Sequence, residues 1–175
     1  ALLLPRFLLA HLPADVPLDP FWRRVCDAVW MSDMDQLVES FVDGQTIRAY
    51  FNSHSCSVNP TLGLFTAWQD SFQELVSDSE FQAGACADDP HQVFLHQAVL
   101  SALVVKSVLP GRLRILPPEY SYPYNLHASV PEGRRAKYLD DLVTVVHEGL
   151  SVRPEALEGI GVREPLRSWL AKHAR

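Results

Sequence analysis

Residues 142–146 read Leu-Val-Thr-Val-Val, a continuous apolar and β-branched run. Such a run predicts a strand that is buried on both faces, in the middle of a sheet covered by helices. Residues 37–51 differ, because their apolar side chains alternate on either side of Asp43-Gly44. This pattern predicts a β-hairpin. Two shorter strands are predicted at 55–58 and 114–116.

Helix starts lie between these strand segments. In each, an acidic or amide side chain precedes a proline, which suits the cap and first turn of a helix. The pairs are Asp19-Pro20, Asn59-Pro60, Asp89-Pro90 and Glu164-Pro165. In the last helix, Leu166, Trp169 and Leu170 are predicted to face inward, while residues 124–138 lack periodicity and predict a long loop. Helices and strands alternate, so the predicted fold class is α/β with helices packed on a mixed sheet.

The composition of the chain argues against a nucleic-acid-binding domain and against a membrane-spanning protein. The chain has 175 residues, which suits one domain, and its 15 Lys and Arg against 21 Asp and Glu give a net charge of −6. This balance argues against a nucleic-acid-binding domain, which usually carries a basic face. No stretch of about 18 apolar residues occurs, so no membrane span is predicted. The apolar fraction of 47% is typical of a globular domain.

The three cysteines are Cys26, Cys56 and Cys86, which lie 30 residues apart and form no CxxC pair. This spacing lacks the signature of a zinc ribbon or a thioredoxin. It favours buried thiols in a reducing compartment, so we expect a cytoplasmic protein, with a single disulfide as the alternative.

Three positions are candidates for chemistry, and each has a plainer interpretation. Asn52-Ser53 follows a predicted strand, where it meets a ligand or simply forms a turn. His96-Gln97 lies within a predicted helix, as part of a pocket or as a satisfied pair at the edge of the core. His147 follows the 142–146 strand, as a metal ligand, an acid–base group or a surface histidine.

Asp33-Met34-Asp35 spells D-x-D, a motif that can hold a divalent cation through two carboxylates. The preceding segment, 21–30, has helical rather than strand spacing. We therefore interpret the two aspartates as loop or capping residues. The chain contains neither a glycine-rich phosphate loop nor the GxSxG and HExxH motifs.

The order of the weaker motifs resembles the C-terminal part of GT-A fold glycosyltransferases of the glycogenin and lipopolysaccharide galactosyltransferase type. The resemblance covers roughly residues 19–150. Its elements are Tyr50-Phe51-Asn52-Ser53, the Asn59-Pro60 helix with Trp68, the segment 94–100, the segment 116–123 and Val145-Val146-His147. It implies that residues 1–175 are the C-terminal portion of a larger domain with a partial GT-A fold.

The resemblance also assigns roles. It implies that Asn52, Ser53 and His96 contact the donor sugar, and that Gln97 lies near the anomeric carbon as the catalytic residue. Tyr120 and Tyr122 belong to the family's tyrosine-containing segment and are expected to bind substrate. His147 matches the family's late histidine, which is a ligand of Mn²⁺ or Mg²⁺.

Departures from the family pattern leave an alternative open. His54 replaces a glycine, and His96 and Ala98 replace the two acids of the family's DQD motif. The expected function is transfer of a sugar from a nucleoside diphosphate sugar to an acceptor. The alternative is a non-catalytic carbohydrate- or protein-binding domain on the same scaffold.

Overall fold

The computed structural model describes residues 13–53, 55–145 and 159–173. This part of the chain is mixed α/β and mostly helical, with one small two-stranded sheet. Its elements are α1 (Pro20–Ala28), β1 (Leu37–Glu39), β2 (Thr46–Arg48), α2 (Leu64–Ser77), α3 (Ser79–Ala83), α4 (Asp89–Ser107) and α5 (Leu166–His173). The segment 110–141 contains several short 3₁₀ turns and no α-helix or strand.

Helix α4 is the centre of the fold. From Leu95 to Val104 nearly every residue is buried, whichever face of the helix it occupies. A helix that is apolar all round belongs in the interior, and α4 packs against both α1 and α2. Beyond this buried stretch, the Lys106 ammonium donates a 2.6 Å hydrogen bond to the carbonyl of Val29, just after α1.

The predicted helix starts at Asp19-Pro20, Asn59-Pro60 and Asp89-Pro90 are present with small shifts. Asp19 caps α1 by accepting a 2.8 Å hydrogen bond from the amide of Trp22. Asp88, rather than Asp89, caps α4. Asn59 caps a single 3₁₀ turn, and α2 begins only after Gly63, whose φ of 61° is in the left-handed region.

The predicted hairpin is confirmed, since β1 and β2 pair antiparallel with Val38 opposite Ile47. Gly44 in the turn has a φ of 69°, a conformation that glycine adopts without strain. The two strands are short, and Ile47 points into the main core.

The strand predicted at 142–146 is wrong for the described residues 142–145. They form no strand, and Val143 and Val145 are 60% and 37% exposed. Val145 makes only an isolated parallel bridge to Tyr122. Leu142 packs partly against a small cluster that includes Tyr122, whereas residues 143–145 are exposed, so the run lacks the covering layers of a central strand. Residue 146 lies outside the described residues.

Two shorter strand predictions and one packing prediction also fail. Residues 55–58 and 114–116 belong to no sheet. They lack a neighbouring strand whose backbone groups would pair with theirs. In α5, Leu170 is buried as predicted, but Trp169 is 55% exposed and stacks on His173, one turn away, at 4.6 Å between ring centroids.

The region predicted as a long loop contains short turns around a second, smaller core. Its buried members are Val42, Tyr122, Tyr124, Val130 and Ile160. The Tyr122 hydroxyl and His127 Nδ1 share a 2.7 Å hydrogen bond inside it, and the amide of Ala136 donates to the same hydroxyl. Buried polar bonds of this kind order a segment that lacks regular periodicity.

Candidate functional site

A cavity of about 540 Å³ lies beside the C-terminal half of α4. One wall is apolar and comes from the end of the hairpin segment, the start of α2, α4 and the segment after it. This wall includes Phe51, Leu64, Leu100, Val104, Leu113 and Leu116. The polar lining includes Asn52, Ser55, Cys56, Ser57, Arg112 and Arg114. A mostly apolar cleft of this size with a few polar groups is the usual form of a small-molecule site.

The segment that ends in Asn52 is attached to α4 by Ser101. The Phe51 amide donates a 2.8 Å hydrogen bond to Ser101 Oγ, and Ser101 Oγ donates a 2.7 Å bond to the Gln97 carbonyl. Ser101 is fully buried. The Ser101 hydroxyl thus joins the backbone next to Asn52 to the backbone of Gln97, and these two residues were predicted to share a site.

Asn52 and Gln97 occupy different environments, although both are buried. Asn52 lines the cavity, while Gln97 is not among the lining residues. Within the described part of the chain, no donor reaches Gln97 Oε1. A buried amide oxygen without a donor costs free energy, so this position has an unused hydrogen-bonding group. Ser53, next to Asn52, is half-buried.

His96 faces α2 rather than the cavity. Its carbonyl accepts a 2.7 Å hydrogen bond from Trp68 Nε1, and its ring stacks on the Trp68 indole at 6.5 Å between centroids. Trp68 therefore fixes the turn of α4 that carries both His96 and Gln97.

The two tyrosines of the predicted substrate-binding segment differ in accessibility. Tyr120 is exposed, and its carbonyl accepts a 3.3 Å hydrogen bond from Ser55 Oγ on the cavity lining. Tyr122 is buried and bonded to His127. Burial raises the pKa of Tyr122 and lowers the pKa of His127. Tyr120 can reach solvent near the cavity, whereas the Tyr122 hydroxyl is occupied within the smaller core.

The D-x-D aspartates do not form a cation site with the other described residues. Asp33 Oδ1 accepts a 2.8 Å hydrogen bond from Arg48 and a 2.7 Å bond from the Met34 amide, while Asp35 is exposed. No group of three His, Cys, Asp or Glu side chains able to hold a metal occurs within residues 13–53, 55–145 and 159–173. His147, the predicted metal ligand, lies outside the described residues. The described residues by themselves therefore provide no complete ligand set for Mn²⁺ or Mg²⁺.

All three cysteines are free thiols. Cys26 and Cys86 are buried as predicted, but Cys56 is exposed and lines the cavity. Burial raises the pKa of Cys26 to about 11 and also raises that of Cys86. Cys56 therefore differs from the other two in its access to reagents.

No sequence motif predicted the two arginines of the cavity. Arg112 and Arg114 lie two positions apart after α4, and only Arg114 belongs to the short strand predicted at 114–116. Only the position of the apolar walls identifies them as site residues.

No helix in the described part of the chain is long and apolar enough to cross a membrane. No family model matches this sequence, and no curated protein or solved structure was found to be similar to it.

Proposed function

We propose that this chain belongs to a nucleotide-sugar-dependent glycosyltransferase, which transfers a sugar from a nucleoside diphosphate sugar to an acceptor. The observation that carries the proposal is the Phe51–Ser101–Gln97 hydrogen-bond relay. It connects two of the sequence segments that resemble the donor-sugar contacts of GT-A enzymes. The segment that carries the predicted substrate-binding tyrosines adjoins them, because Ser55 on the cavity lining bonds to the Tyr120 carbonyl.

In this proposal, Asn52 and Ser53 hydrogen-bond hydroxyl groups of the donor sugar. An amide can donate and accept at once, which suits the alternating hydroxyls of a sugar ring. Gln97 supplies a carbonyl-type oxygen beside the reacting carbon, where positive charge develops during transfer. Mn²⁺ or Mg²⁺, when bound by His147 and by groups outside the described residues, would neutralise the departing diphosphate.

The departures from the family motif support a second candidate. His96 and Ala98 occupy the places of the family's two acids, and the His96 ring is stacked on Trp68. A chain without those carboxylates can bind a carbohydrate without transferring it. We retain a non-catalytic carbohydrate-binding domain as this alternative, and a cytoplasmic location remains a prediction from the cysteine pattern.

The test uses the full-length gene product with UDP-glucose, UDP-galactose, UDP-N-acetylglucosamine and GDP-mannose, each with Mn²⁺ or Mg²⁺. Release of UDP or GDP is measured with a coupled assay, and binding is measured by calorimetry. Gln97→Leu keeps the side-chain volume and is expected to abolish turnover of the donor. Gln92→Ala, an exposed position on the same helix, is the matched control and is expected to leave it unchanged.

Three outcomes separate the candidates. Donor turnover that Gln97→Leu removes supports the transferase. Binding of a sugar or nucleotide sugar without turnover supports the carbohydrate-binding domain. A folded protein that neither binds nor turns over any of the donors would contradict both. The metal assignment is tested by titrating Mn²⁺, in the presence of a nucleoside diphosphate, into the parent protein and into His147→Ala. Equal Mn²⁺ affinity of the two proteins would remove His147 from the site.

A further inference from the structure

The arginines of the described chain fall into two groups. Seven of the nine donate hydrogen bonds to carboxylates or backbone carbonyls; these are Arg23, Arg24, Arg48, Arg134, Arg135, Arg163 and Arg167. Arg112 and Arg114 have no such partner among the described residues, and both line the 540 Å³ cavity.

The charge of the cavity opposes that of the whole chain. The net charge is −6, yet no Asp or Glu is among the residues that line the cavity. Its charged groups are the guanidinium groups of Arg112 and Arg114. A guanidinium presents a planar fork of donors that fits carboxylate and phosphate oxygens, and two of them together favour an anion.

The rest of the lining is unsuited to a small inorganic anion. Leu100 and Val104 of α4 face the cavity from one side, and Leu113 and Leu116 from the segment that carries the arginines. This apolar surface contributes to binding only when an apolar group of the ligand displaces water from it. The cavity volume of about 540 Å³ is in the range of small-molecule pockets.

We propose that this cavity binds an anionic amphiphile, a molecule with an apolar chain or ring system that ends in a phosphate or a carboxylate. Arg112 and Arg114 bind the charged head, and the leucine and valine side chains surround the apolar body. The proposal does not rest on the glycosyltransferase assignment, because the contacts it uses are those of Arg112, Arg114 and the apolar walls. Of the proposed sugar contacts, Asn52 alone lines this cavity.

Cys56 gives a direct way to measure occupancy. It is exposed and lines the cavity, whereas Cys26 and Cys86 are buried and have raised pKa values. N-ethylmaleimide, which is uncharged, should modify Cys56 first in the folded protein, as read by intact-mass spectrometry. Cys56→Ser should remove this fast phase.

The probes distinguish the contribution of the charged head group to binding from that of the apolar alkyl tail. Decyl phosphate and decanoate, used below their micellar concentrations, are compared with butyl phosphate, decanol and inorganic phosphate. We expect decyl phosphate or decanoate to slow Cys56 modification at least tenfold, and the other three to have less effect. Whichever of decyl phosphate and decanoate slows Cys56 modification more identifies the preferred head group.

The matched variants test the arginines. Arg112→Gln combined with Arg114→Gln should weaken protection by the ten-carbon anion at least tenfold. Lys137→Gln combined with Lys172→Gln removes the same charge from exposed positions outside the cavity and should leave protection unchanged. Circular dichroism checks that each variant is folded.

The proposal would be overturned by equal protection from decanol and decyl phosphate, or by unchanged protection in the arginine variant. Absence of protection by every amphiphile would also overturn it. If modification instead slows as the protein concentration rises, the cavity is an interface between copies of the chain, and the proposal is wrong.

Discussion

Ser101→Ala is the sharpest test of the connection between the hairpin segment and α4. Ser101 is 0% exposed, and its hydroxyl both accepts from the Phe51 amide at 2.8 Å and donates to the Gln97 carbonyl at 2.7 Å. Alanine removes both bonds. The Gln97 carbonyl keeps its position within the helix, but the buried Phe51 amide loses its acceptor.

The magnitude follows from these two effects. A buried donor left without a partner costs about 1–3 kcal/mol. Alanine is a better helix former than serine by about 0.5 kcal/mol, which offsets part of that cost. The expected net loss in the free energy of unfolding is about 0.5–2.5 kcal/mol. For a chain of 175 residues this lowers Tm by about 1–10 °C.

The assay is urea unfolding followed by circular dichroism, with Ser71→Ala as the control. Ser71 lies on α2 and donates a longer, 3.3 Å bond to the Ala28 carbonyl at a partly buried site. Its removal should change the free energy of unfolding by less than about 0.5 kcal/mol. If Ser101→Ala and Ser71→Ala are equally stable, the Ser101 relay does not hold the two segments together.

Three further changes probe other parts of the fold. Burial lowers the pKa of His127, so the native state favours its neutral form. The free energy of unfolding should therefore fall as the pH drops below about 6.5. His127→Gln should flatten this dependence in urea titrations at pH 5–8. Asp33→Asn removes the carboxylate from Arg48, whose side chain is 13% exposed, and should cost about 1 kcal/mol in thermal unfolding. Gly44→Ala places a side chain at a φ of 69° and should cost about 1 kcal/mol by the same measurement, with little change if the turn rearranges.

The parts of the fold that sequence predicted correctly are those fixed by local chemistry. Asp19-Pro20 starts a helix because the carboxylate accepts a nearby amide and proline suits the first turn. Asp43-Gly44 makes a hairpin because glycine adopts positive φ. These features depend on residues within one turn of each other, so the distant parts of the chain do not alter them.

The predictions that failed depend on which distant surfaces meet. Residues 142–146 have the composition of a buried strand, but burial needs covering layers, and Val143 remains exposed. Trp169 likewise finds its partner in His173 on its own helix rather than in the core. Helix α3 was missed because five residues are too few to show periodicity.

The candidate site was predictable in part. The sequence resemblance selected Asn52 and Gln97, and the Ser101 relay holds the backbones at these positions near each other. It did not indicate that Gln97 would lie outside the cavity lining. Nor did it select Arg112 and Arg114, since their position at an apolar cavity, with no partner among the described residues, is a property of the tertiary structure.

Gln97 gives the most informative contrast between stability and function. Leucine has a similar volume and brings no polar atom, so Gln97→Leu removes a buried amide oxygen that has no donor among the described residues. Relief of that unsatisfied group should leave the free energy of unfolding unchanged or raise it by up to about 1 kcal/mol. A polar group kept in the interior at such a cost is typical of functional positions, where activity and stability conflict. A variant that is as stable as the parent and has lost donor turnover would support that role. A variant that loses more than about 2 kcal/mol would mean instead that the amide holds the core together, because truncation of a satisfied buried group is what costs that much.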